Sequence, residues 1–177
     1  MNDLISQVKN IVREDVNLCY QCEKCTSGCP VSMEMELVPA QIMHAAQLNM
    51  KEKILKANTI WLCASCETCT TRCPQGIDIS AVMDALRIIA RREKVKAKIP
   101  LVPAFYNLCL LSLKFIGCIY EMGVAGFMRM RARLVFKDLP LAKAMLMKGK
   151  LNLFPTIRKP SKVRKIIRKA KKIEGFK

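Results

Sequence analysis

Acidic residues are scarce in this chain: 14 Asp and Glu stand against 31 Lys and Arg in 177 residues, a formal net charge of +17. Histidine is nearly missing, and the single copy, His44, reads as a residue on a helix face rather than a ligand. Glycine is sparse, at seven, and alternating β-branched runs are few, so sheet is disfavoured and an all-α chain is expected. No apolar run reaches the ~20 residues a membrane-spanning helix needs. The longest uncharged piece of the most apolar stretch, Ile99 to Leu113, has 15. The first ten residues lack the apolar segment of an export signal, which excludes a secreted disulfide framework and sets a reducing, cytoplasmic expectation.

Cysteine, by contrast, is abundant and ordered. Eight of ten cysteines fall in two runs, Cys19-x-x-Cys22-x-x-Cys25-x-x-x-Cys29-Pro30 and Cys63-x-x-Cys66-x-x-Cys69-x-x-x-Cys73-Pro74. Structural zinc takes four ligands, commonly from two C-x-x-C pairs, and leaves the third cysteine and the proline of each run unexplained. A 4Fe–4S cubane needs a soft thiolate at each of four corners, and this spacing is the one that supplies it. Residues three apart in a tight helical turn project to one side, so three thiols reach one cube. The fourth, followed by proline, points away, and in two-cluster ferredoxins it ligates the other cluster. That comparison assigns Cys19, Cys22, Cys25 and Cys73 to cluster 1, and Cys63, Cys66, Cys69 and Cys29 to cluster 2. Cys109 and Cys118 lack ligand spacing and read as packing thiols.

The charge is lopsided. Residues 129–177 carry 17 basic and two acidic residues, so nearly all the excess lies in the last 49 positions. Such a region docks onto something acidic, or offsets the negative charge of the clusters. Two domains are expected: 1–98, holding both clusters, and 99–177, an apolar and then basic helical docking region.

Apolar periodicity places an opening helix through Leu4, Ile5, Val8, Ile11 and Val12, lying against the first cysteine turn. It places a second from Pro39 through Leu48, a short third capped by Asn49, and a long fourth from Asp78 or Ser80 to near Lys98. Trp61 and Leu62 are expected to shield the second cluster. Residues 101–128 are expected to form a partner-facing or partly buried apolar helix, with Pro140, Gly149, Pro155 and Pro160 punctuating short helices after it. The last runs from Lys162 to Ile173 as a basic amphipathic helix. Within the runs, Thr26, Ser27 and Gly28, and Thr70 and Thr71, are small enough to let backbone approach cluster sulfurs. Lys24 and Arg72 favour the reduced state; Glu23 and Glu67 oppose it.

From Leu4 to Lys94 the pattern resembles the α-helical ferredoxin domain of succinate dehydrogenase and fumarate reductase iron–sulfur subunits. Only 18 residues precede Cys19, so the plant-type 2Fe–2S domain of those subunits is not expected. No two cysteines are adjacent, so the Cys-Cys-Gly motif of heterodisulfide reductase catalytic subunits is absent. The chain thereby resembles the C-subunit family of soluble heterodisulfide reductases from methanogenic archaea. That resemblance implies an electron-relay subunit with no catalytic residue of its own. It also implies two heterodisulfide reductase partners. One, of the A type, carries flavin and iron–sulfur centres; the other, of the B type, is catalytic and reduces the mixed disulfide of coenzymes M and B in methanogenesis. A hydrogenase or formate dehydrogenase would feed the complex electrons. Two other readings share the composition: an iron–sulfur subunit of a membrane quinone-linked oxidoreductase, and a nucleic-acid-binding iron–sulfur protein. Neither nucleic acid nor a transmembrane segment is expected.

Overall fold

The computed structural model describes residues 3–131 and 160–173, with side chains through residue 170. The punctuated stretch around Pro140, Gly149 and Pro155 lies outside the described residues. Among those described, the secondary structure is helical, without strand. The chain divides into two compact units, with the boundary between Pro100 and Leu101.

The first unit begins with α1, Leu4–Val12, whose N-terminus is capped by the Asp3 carboxylate accepting from the Ile5 N–H. Leu4 and Val8 are fully buried, and the helix packs mainly on α7 (Ile79–Arg92) and also on α3 (Pro39–Gln47). Its chief support is thus the two long helices rather than the first cysteine turn. Pro39 opens α3, where its missing N–H removes a donor that has no intrahelical partner anyway. Ile42, Met43, Ala45 and Ala46 turn inward while His44 stays exposed.

Asn49 departs from expectation. It adopts a left-handed conformation (φ 53°) at the end of α3, and Met50 caps the short helix α4, Lys51–Lys56. The Asn49 side chain instead accepts from the Leu4 N–H at 2.9 Å, tying down the start of α1. Helix α7 also ends earlier than its apolar pattern implies, at Arg92. Lys94 takes φ 55°, and the Val95 and Lys94 N–H groups reach back to the Ala90 and Arg91 carbonyls. This is a Schellman stop made without glycine. On its inner face α7 buries Ile79, Val82, Met83, Leu86 and Ile89, and each large side chain so buried contributes about 1.5–3 kcal/mol.

Between α4 and the second cysteine run, Asn58 and Thr59 start a new one-turn helix, α5 (Thr59–Leu62), instead of merely breaking the chain. Thr59 is fully buried; its hydroxyl donates to the Leu37 carbonyl at 2.7 Å and accepts from the Leu37 N–H at 3.0 Å. Asn58 likewise pairs with Glu36 through both backbone and side chain. Lys98 adds an ion pair to Glu36, and with the Asn58 N–H it holds that carboxyl below the usual range.

The second unit is described by α8 (Leu101–Ile116), α9 (Glu121–Arg131) and α10 (Pro160–Ile173). The apolar stretch is therefore two helices, broken at Gly117, whose φ of 83° only glycine adopts without strain. Among the described residues, no helix is long and apolar enough to cross a membrane. Helix α10 starts at Pro160, two residues before the expected Lys162, and packs along α8.

Thr59→Val keeps the shape of the side chain but strands a half-buried donor and acceptor on Leu37. A loss of about 1–3 kcal/mol is expected in chemical denaturation of the full chain. An unchanged midpoint would show that Leu37 finds other partners.

Candidate metal centre

Each cysteine run folds in two parts. The stretch from the first to the second cysteine is not helical, whereas the third cysteine sits in a one-turn helix: α2 (Lys24–Ser27) for Cys25 and α6 (Thr68–Thr71) for Cys69. The single tight helical turn expected from the spacing is therefore not what forms. Two residues in each run, Gln21 and Glu23, then Ser65 and Glu67, take left-handed φ angles of 63°, 60°, 50° and 60°. These occupy matching positions of the two runs, and none is glycine. Each left-handed residue costs about 1–3 kcal/mol, so the surrounding structure has to hold the loops in this shape.

The frame around each loop is also repeated. In the first, the Gln47 amide on α3 donates to the carbonyls of Cys19 (2.8 Å) and Val16 (3.1 Å) and accepts from the Gln21 side chain (2.9 Å). In the second, Arg87 on α7 donates to the carbonyls of Cys63 (2.8 Å) and Ile60 (2.6 Å). Its ion-pair partner Asp84, 2.9 Å away, accepts from the Ser65 hydroxyl at 3.2 Å. In both cases the carbonyls belong to the first cysteine and the residue three before it, and the side chain is the first left-handed one. The apolar period of α3 and α7 puts neither Gln47 nor Arg87 at the cysteine loops. Long polar residues on amphipathic helices carry no signal of where they reach back.

Thr26 and Thr70 do more than leave space. Thr26 accepts from the Ala40 N–H at the start of α3, and Thr70 bonds Asp78 and the Ser80 N–H at the start of α7. Gly28, with an ordinary negative φ, is covered instead by Arg72: a Cβ there would lie 2.7 Å from its side chain. The two runs therefore touch, as do α2 and α6.

Thiols from the two runs come together in the first unit. Cys29 lines one small cavity with Cys63, Cys66 and Cys69, and its walls are completed by Val31, Met35, Pro39 and Met83 among others. Around Tyr20, the phenol is pushed above its usual range, first by desolvation and then by the neighbouring Cys22, Cys73 and Cys19 thiols. Burial likewise raises the Cys25 and Cys69 thiols, the third cysteine of each run. The exposed Cys66 thiol is lowered by its contact with the Thr68 hydroxyl at 3.4 Å. Trp61 is buried with its indole N–H unpartnered, and it does not line the Cys29 cavity. Cys109 and Cys118 lie far along the sequence, in the second unit, with intermediate exposure.

Among the described residues, no three His, Cys, Asp or Glu side chains are grouped to hold a single metal ion. A cubane differs in taking its thiolates at four separate corners. The donor set suits such a cluster: the cavity presents four thiols, with no carboxylate or imidazole in its lining.

Residues 18–78, which contain all eight cysteines of the two runs, match the 4Fe-4S dicluster domain family. Over 102 residues the chain is also 30% identical to the iron–sulfur C subunit of the CoB--CoM heterodisulfide reductase of Methanopyrus kandleri. The alignment covers 55% of this chain and 53% of that protein, so the chain spans about half the length of the curated relative it matches. The match ends at the N-cap of α7, and the helix that follows supplies the Arg87 support for the second cysteine loop.

A β-branched residue is poorly accommodated at a left-handed position, whereas glycine is at ease there. Glu67→Val is expected to destabilise the first unit by about 1–2 kcal/mol. Lower iron retention and earlier thermal unfolding would report this, while Glu67→Gly should retain both. Equal behaviour of the two variants would remove the conformational argument.

Proposed function

We propose that this chain is the electron-relay subunit of a CoB–CoM heterodisulfide reductase complex. Cys19, Cys22, Cys25 and Cys73 hold one 4Fe–4S cluster, and Cys63, Cys66, Cys69 and Cys29 hold the other. The observation that carries this reading is the cavity in which Cys29 sits with the three thiols of the opposite run. When bound, such clusters accept and release single electrons. The chain's own residues fix the thiols, close the loops with Gln47 and Arg87, and wall the Cys29 cavity with apolar side chains. Cys22 and Cys66, one from each run, remain exposed, which leaves an approach to each centre from outside the domain. In this reading the substrate chemistry belongs to a partner.

Partners of the A type, with flavin and iron–sulfur centres, and of the B type, with the reducing site, fit this role. The second unit supports docking: Phe105, Leu110, Leu111, Phe115 and Phe127 are exposed, and Val124 alone is buried among its described residues. A 280 Å³ apolar cavity between α8 and α9 lies beside that surface. Basic helix α10 adds charge, with Arg164 donating to the Lys114 carbonyl and stacking on Phe115. The expected setting is cytoplasmic.

Full-length protein prepared without oxygen should contain about eight irons and eight acid-labile sulfides. Cys29→Ser should then disturb the same reduced-state EPR signal as Cys66→Ser, and not the one disturbed by Cys22→Ser. A Cys29→Ser spectrum matching Cys22→Ser would overturn the crossed assignment.

A further inference from the structure

The two cysteine loops are closed by equivalent clamps of unlike charge. Gln47 closes the first as a neutral amide; Arg87 closes the second as a guanidinium whose side chain is 14% exposed. Both clamps bond the carbonyls of the first cysteine and of the residue three before it, although at the second loop Asp84 rather than Arg87 holds the first left-handed side chain. A loop needs only hydrogen-bond donors at those carbonyls, and Gln47 shows that an amide supplies them. The positive charge at the second loop is therefore surplus to holding the backbone.

We propose that Arg87 is a positioning residue that also sets the potential of its centre. Its charge makes the cluster held by Cys63, Cys66, Cys69 and Cys29 easier to reduce than the other. This rests on the two-cluster reading above. Adding an electron makes a cluster site more negative, and a nearby cation favours that state. Asp84 pairs with Arg87 and opposes it, and Glu67 beside Cys66 acts in the same sense. Asp84 is 48% exposed, however, and Glu67 is exposed, so water screens both carboxylates more than it screens the guanidinium. The guanidinium is therefore the less screened member of its ion pair. At the first loop, Glu23 and Lys24 are opposite in sign, and the clamp adds no charge. An electron entering the pair thus comes to rest on the second centre, which gives the relay a direction.

A mediated dithionite titration of the full chain, followed by EPR, tests this. The second centre is identified as the signal altered in Cys66→Ser. In Arg87→Gln, which copies the clamp of the first loop, the reduced-to-oxidised ratio of that centre at fixed potential should fall about tenfold. For a one-electron couple this is about 59 mV. The first centre should move much less. Asp84→Asn leaves the guanidinium in place and should shift the second centre the opposite way. If Arg87→Gln loses that cluster, the Asp84→Asn titration decides alone. An unmoved second centre in Asp84→Asn, or equal shifts of both centres in either variant, overturns the proposal. Wild-type protein lacking iron and sulfide would instead bring down the two-cluster reading itself, a result visible before any titration.

Discussion

Convergence of thiols from two distant loops is the constraint on which the first unit depends. Cys29 shares a cavity with Cys63, Cys66 and Cys69, all remote from it in sequence, so the two runs must be held against each other. The rest of the unit serves that juxtaposition. Long helices α3 and α7 supply the buried apolar faces, and α1 packs across both. Short connections lock the approach: Asn49 onto Leu4, Thr59 onto Leu37, and Glu14 onto the Asp78 N–H. A core of aliphatic side chains is non-directional. The hydrogen bonds are what set the register between loops and helices.

The repeat is deeper than its cysteines. Left-handed residues, threonine hydroxyls at the starts of α3 and α7, and clamps on paired carbonyls recur in both halves. A strained loop persists only where its surroundings over-determine it. Gln47 in one half, and Arg87 with Asp84 in the other, supply that determination. The halves differ where charge enters, which is a difference in electrostatics laid over a common geometry.

The second unit follows other rules. Its described helices bury little of their own apolar surface, and its charge is strongly basic. Such a surface is stable when another surface covers it. Similarity to one subunit of a heterodisulfide reductase accords with that physical demand, while the dicluster match lies wholly within the first unit.

Composition and spacing were enough to reveal the helical class, the paired cysteine runs and the basic end. Thiol spacing answers to cluster geometry, and a 3.6-residue apolar period answers to a buried helix face; both are local. The long helices were legible for that reason. Their ends were less so: α7 stops at Arg92 through a left-handed Lys94, and Asn49 serves α1 rather than α4. Nothing in the order of residues shows that Gln21, Glu23, Ser65 and Glu67 are left-handed, since those side chains have no such preference. Nor does it show that Arg87 reaches the Cys63 carbonyl while Gln47 reaches that of Cys19. Those matters are decided in three dimensions, because a long polar side chain takes its partner from whatever backbone the packed core brings within its reach.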